Sequence, residues 1–186
     1  MFDLGPAAHQ LRQLVAAVGD DQLDVPTPCA DWPVSGLLAH TFQLATVFTH
    51  NARKESVRTD GELPDGWREA IPRQLDDLAE AWRDESAWEG RLSAGGVKMD
   101  ARDNAVVAME ELVLHGWDLA RATGQEVRVE DAWLDQVDRF FEVFAPAFAS
   151  GKGPYGPAVP APADASRFEL ILARAGRDPA WRPSAG

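Results

Sequence analysis

Glu111 and His115 stand four positions apart in NAVVAMEELVLHGWDLARATG, residues 104–124. At about 100° per residue, that spacing sets the two side chains roughly 40° apart on one helical face, one turn above the other. Asp118 and Asn104 lie seven positions to either side of Glu111 and project near the same line. The stretch is apolar almost all the way round, the pattern of a buried helix. A buried carboxylate is costly unless a cation or a hydrogen-bond donor meets it. A divalent metal is one such partner, and an imidazole one turn away is a ligand type that would share it.

His40 is the third candidate. It stands among Leu37, Leu44 and Val47 on one face of a second apolar helix. Two histidines and one carboxylate leave a fourth position open on zinc, and the same donors suit non-haem iron. Such an ion ionises bound water, polarises a carbonyl or binds a thiolate. Asp118 is open to three roles: holding a ligand imidazole in place, acting as a base, or pairing with Arg121. A Glu–His pair at this spacing is also an ordinary surface contact on many helices, so the pair alone does not establish a metal site. Cys29 could approach the open metal position, although a buried inert thiol is the commoner state. His9 and His50 read as lying outside the site, Trp32 and Trp117 as core anchors, and Asp76, Asp77 and Glu80 as the wet face of a third helix. The sequence holds no glycine-rich phosphate loop, nucleophile elbow, CxxC or HExxH.

The elements that must position these groups are helices. Leu4, Ala7, Ala8, Leu11, Leu14, Val15 and Val18 recur at three- and four-residue spacing before Gly19. The proline-rich stretch DQLDVPTPCADWP follows, and the second helix is expected from about Pro33 to Ser56. Trp67, Ile71, Leu75, Leu78 and Trp82 mark the third helix, with Pro72 in its first turn or kinking it. Residues 86–100 show no clear period and read as a long connection without strands. Gly124 is placed to end the metal-candidate helix. A fifth helix follows with a stripe from Trp133 to Phe148, which Pro146 kinks or ends. Residues 150–165 are rich in Pro and Gly and must be irregular, either wrapped over the bundle or, as composition leans, a mobile tail. A short helix over about 166–175 closes the chain. The expectation is an all-α helical bundle in one domain, residues 1–186, closed by that short C-terminal helix.

The chain has 186 residues, 45% of them hydrophobic, enough for a real core. A net charge of −12 and a pI near 4.7 argue against nucleic-acid binding. The one cysteine excludes an internal disulfide and fits a reducing compartment. No signal peptide and no membrane span is read, so a cytoplasmic protein is expected. The exposed bundle faces would support a homodimer without requiring one.

Three stretches carry a resemblance to a known family. PTPCADWPVSGLLAH resembles the recurring TPC-x-x-W-x-V-x-x-L-x-x-H start of actinobacterial metal-binding proteins in the DinB-like superfamily, and EELVLHGWDLARATGQ is similar to their second signature. The tail YGPAVPAPADASRFELILARAGRDPAW is similar to their usual ending. The best-understood member of that family is the enzyme mycothiol-dependent maleylpyruvate isomerase, whose N-terminal domain this chain resembles. The resemblance implies a DinB-like four-helix bundle of the up-down-down-up type. It also implies a divalent metal held by His40, Glu111 and His115, zinc first and nickel or iron as alternatives. In that family the metal activates the thiol of mycothiol as thiolate, which attacks an unsaturated acid. That enzyme carries a second domain with no counterpart in this sequence. The expectation is therefore a metal-dependent small-thiol transferase or isomerase-like enzyme acting on an electrophilic substrate, and not maleylpyruvate isomerisation itself. The alternative is a non-catalytic metal-binding module with a structural or sensing role.

Overall fold

The computed structural model of the protein describes residues 1–29, 32–149, 151 and 155–183. Its principal elements in chain order are α1 (Gly5–Ala16), α2 (Val34–Ala52), α3 (Trp67–Ala81), the strands β1 (Arg91–Ala94) and β2 (Val97–Asp100), α4 (Ala101–Thr123), α5 (Asp131–Val143), the short α6 (Ala145–Ala149) and α7 (Arg167–Arg174). Each of α1 and α2 packs against both α3 and α4, which closes a ring of four helices, and α5 covers the far side of α4. Helix directions follow from the side-chain contacts. Asp20 and Arg12, near the end and middle of α1, meet Arg68 and Asp76 of α3, so those two helices are antiparallel. Trp82, just past α3, donates to the Phe48 carbonyl near the end of α2, and Lys54, just past α2, donates to the Ala87 carbonyl beyond α3, so α2 and α3 finish at the same end of the bundle and run together. His40 faces Glu111 while Asn51 faces Asn104, so α2 and α4 are antiparallel. The first and fourth helices thus run one way and the middle two the other.

The core at the centre of this ring is aliphatic and aromatic: Leu11, Leu37, Leu38, Phe48, Ile71, Leu75, Leu78, Met109 and Leu114 are all buried. Helix α4 is buried on nearly every side because small residues at Ala105, Ala108, Gly116 and Ala120 admit its neighbours closely. It ends at Gly124, whose φ of 72° is the left-handed conformation that glycine adopts without strain, as its place in the sequence predicts.

Two expectations need correction. The connection before α4 contains an antiparallel hairpin, Arg91 pairing with Asp100 and Ala94 with Val97. Gly95 and Gly96 both take positive φ, 55° and 78°, the two-residue turn that matches strand twist. Four-residue strands are too short to display alternation, but the Gly-Gly pair was the available signal. The second helix ends at Ala52 rather than Ser56, because Lys54 turns out at positive φ and its ammonium donates to the carbonyls of Ala87 and Glu89. The fifth helix, by contrast, ends at Val143 in line with the expected break at Pro146, which has no N–H to extend it, and a short new turn begins at Ala145.

The expected lean toward a mobile tail over 150–165 also fails for the described part, while residues 150 and 152–154 lie outside the described residues. The Tyr155 ring stacks on Phe148 at 6.1 Å between centroids, and the Val159 N–H donates to the Ala173 carbonyl. The stretch wraps back over the bundle. Ser166 and Glu169 then cap α7 reciprocally, the sequence pattern S-x-x-E that starts a helix.

Candidate metal centre

Helix α2 is held at its start by the loop before it. The N–H groups of Val34 and Ser35 donate to the carbonyls of Val25 and Leu23, and Pro26 and Pro33 form an isolated bridge. Thr27 organises the turn: its hydroxyl donates to the Trp32 carbonyl at 2.8 Å and accepts from the Cys29 N–H at 3.2 Å. This is a physical reason for a threonine two residues before the cysteine and five before the tryptophan. The Trp32 ring then lies 4.3 Å from the His40 ring and 5.9 Å from that of His115. Trp32 is therefore a half-buried wall of the site and not the core anchor expected, whereas Trp117 is buried as expected, with Arg121 over its ring.

His40, Glu111 and His115 come together, one ligand atom of each lying within 4.8 Å of the others. His115 Nε2 is 2.9 Å and His40 Nε2 3.5 Å from the same Glu111 oxygen, Oε2. Donors at zinc–ligand lengths in a tetrahedron stand about 3.3 Å apart, close to the two distances from Glu111 Oε2. Both ring nitrogens of His115 face carboxylates, because Nδ1 lies 3.0 Å from Asp118 Oδ2. A neutral imidazole can satisfy one of them by donating and leaves its lone pair aimed at the other. Only a second cation, a proton or a metal, resolves that contact. The residues present therefore fit a divalent metal.

The electrostatics point the same way. Burial opposes the charged form of His115, but Asp118 and Glu111 outweigh it and raise its pKa to about 9. Burial pushes the Glu111 carboxyl up, but hydrogen bonds from His115 and His40 hold it below the ordinary range. Asp118 is likewise depressed, the His115 bond and the Arg177 charge overcoming its burial. Glu110 goes the other way, raised by burial and by the charge of Glu111. The ionised carboxylates beside His115 are thus Glu111 and Asp118, against one fixed cation among the described residues, Arg177. That excess of negative charge favours a cation at His115.

A pH prediction follows for the metal-free protein. A histidine raised from 6.5 to about 9 adds stability that is fully present below pH 6.5 and is lost as pH rises through about 9. The size of that loss is about 3 kcal/mol. Denaturant unfolding of metal-free protein across this window should show the loss, and saturating zinc should flatten it, because the ion takes the proton's place.

Asp118 does not pair with Arg121, which reaches instead to the Pro179 carbonyl. Its partners are His115 and Arg177, at 3.0 Å each. Cys29 is half-buried and clusters with His115 and Asp118, one ligand atom of each lying within 4.8 Å of the others. His9 is exposed beside Gln13, His50 pairs with Glu55, and Asp76 and Glu80 lie on the wet face of α3, in line with expectation. Three residues escaped the sequence reading. Glu110 is buried one position from Glu111, accepts a hydrogen bond from the Tyr155 hydroxyl, and has no partner at its second oxygen among the described residues. Arg177 lies with its guanidinium 4.5 Å over the Tyr155 ring. The available signals were a single tyrosine within a Pro/Gly-rich segment and an arginine directly after a glycine at the end of α7. Among the described residues no helix is long and apolar enough to cross a membrane.

No curated protein and no solved structure matches the chain. Residues 4–62 match the family model described as the mycothiol maleylpyruvate isomerase N-terminal domain, a span that includes His40 and precedes Glu111 and His115. The N-terminal third of this chain thus matches a DinB-like helical family associated with metal and mycothiol, in agreement with the resemblance read from its sequence.

Proposed function

We propose that this protein binds one divalent ion, zinc, through His40, Glu111 and His115, and acts as a small-thiol S-transferase or isomerase-like enzyme of the mycothiol type. The observation that carries the metal is the His115 ring, whose two nitrogens each face a carboxylate at about 3 Å. Zinc on three protein donors keeps a fourth position at which a thiol loses its proton and becomes the nucleophile. In this arrangement Asp118 keeps the His115 proton on Nδ1 and so leaves Nε2 free to ligate. His40 and Glu111 are each about one-fifth exposed, so the open side faces the surface beside Trp32. The thiolate sulfur would add to the electrophilic carbon of an unsaturated acceptor, the π pair of that C=C bond moving to the neighbouring carbon and taking up a proton from solvent, which receives the thiol's own proton at that mouth.

A second reading, a non-catalytic metal-binding module, is favoured by one observation. The internal space that touches Glu111 and His115 is only about 10 Å³, room for a single water. Elemental analysis of untagged protein, followed by thiol titration of the cobalt-substituted form, separates these. One metal per chain with a sulfur-to-cobalt absorption band supports the thiol enzyme. One metal whose spectrum ignores thiols supports the module, and a protein that takes up no metal defeats both.

A further inference from the structure

The turn that ends α7 delivers a buried cation to the back of the candidate centre. Gly176 has φ 75°, and a Cβ there would stand 3.2 Å from the Pro157 carbonyl oxygen, so only glycine fits without displacement. Beyond it, the Arg177 N–H donates to the Leu172 carbonyl at 2.8 Å, closing the helix end with the bond that reverses the chain. The Arg177 side chain is thereby directed inward. It is buried, donates to the Ala175 carbonyl at 3.0 Å, and meets both oxygens of Asp118, Nη2 to Oδ2 at 3.0 Å and Nε to Oδ1 at 3.4 Å. The Tyr155 ring closes the other face of the guanidinium.

This places three groups in series across the molecule: guanidinium, carboxylate, imidazole. Asp118 is wholly buried on α4, and without Arg177 it would carry an uncompensated charge there. A carboxylate gripped at both oxygens has little freedom to rotate, so its bond to His115 Nδ1 holds the ring in one orientation. Helix α4 alone does not impose that orientation, because rotation about the His115 side-chain bonds is restrained chiefly by what the two nitrogens contact.

We propose that Arg177 is a positioning residue of the metal centre, acting through Asp118 to hold His115 Nε2 toward Glu111 and His40. The inference rests on the metal reading proposed above. It joins the C-terminal wrap to a centre whose three ligands all lie within the first 115 residues.

The test is a double-mutant cycle read by zinc affinity and by the visible spectrum of the cobalt-substituted protein. Arg177→Gln is expected to weaken zinc binding 10- to 100-fold, the usual cost of losing a group that orients a ligand, and to alter the cobalt spectrum. Arg177→Lys should recover part of the affinity, because it restores the charge without the two-point grip. In an Asp118→Asn background, Arg177→Gln should add little further loss. The side-chain amide of that background is uncharged, so the double variant also serves if the single one folds poorly. Arg167→Gln is the control: it breaks the surface pairs of α7 with Asp135 and Asp138 and should leave zinc binding unchanged. If wild type and Arg177→Gln bind zinc equally, or if the two losses simply add, the positioning role is overturned and the metal reading stands. Wild-type protein that takes up no zinc overturns both.

Discussion

Glu111→Gln should abolish zinc binding while the helices remain, with affinity falling on the order of 1000-fold, or about 4 kcal/mol. Glu111 supplies the one negative donor, and its Oε2 is the atom that both imidazoles face, at 2.9 and 3.5 Å. Glutamine keeps the size and removes the charge, so it leaves the apolar packing of α4 as it is. It also places a weaker acceptor opposite His115, so the metal-free variant should lose part of the alkaline sensitivity predicted for the parent. Isothermal titration with zinc, beside circular dichroism for helix content, measures both parts. His50→Ala is the matched control, because His50 lies beside Glu55 and outside the cluster. An unchanged affinity in Glu111→Gln would remove the carboxylate from the ligand set, and an equal loss in His50→Ala would point to a site elsewhere.

Asp118→Ala should destabilise the protein by about 3–5 kcal/mol, since it leaves one member of a buried ion pair without its partner. Asp118 is fully buried and Arg177 nearly so, and among the described residues no second carboxylate pairs with that guanidinium. At this chain length the loss corresponds to a fall in Tm of about 10 °C or more. The double variant Asp118→Leu with Arg177→Met should be markedly more stable than Asp118→Ala, because it removes both charges and keeps the volume. Thermal unfolding of the metal-free proteins at pH 7 checks the order. A single variant as stable as the parent would mean that the pair is solvated.

What was legible in the sequence follows from period and chemistry. Helices α1, α3 and α4 each carry a stripe several turns long, and Gly124 marks an end by a conformation that few other residues adopt. His40, Glu111 and His115 could be found because each sits on such a stripe with a side chain that does not belong in oil. The hairpin at 91–100 was missed because strands of four residues offer two side chains per face, too few to show a period. Arg177, Tyr155 and Glu110 were missed for another reason. Tyr155 and Arg177 are brought to α4, and Tyr155 to Glu110 upon it, by the wrap of residues 155–177, and nothing in local spacing says which element a Pro/Gly-rich segment will lie against. Asp118 shows the limit within a single residue. Its neighbour in sequence, Arg121, is a plausible partner at helical spacing, yet the partner that a buried carboxylate finds is 59 residues away.

The seat of Trp32 has a practical consequence. An indole 4.3 Å from one candidate ligand imidazole and 5.9 Å from another reports on ion binding there through its emission, because a protonated ring such as that of His115 quenches the excited indole and a neutral ring bearing a closed-shell ion does so much less. The protein therefore carries a native optical probe at the mouth of its candidate centre. Zinc should brighten it and cobalt should dim it, with the remaining tryptophans as a steady background that Trp32→Phe would leave in place.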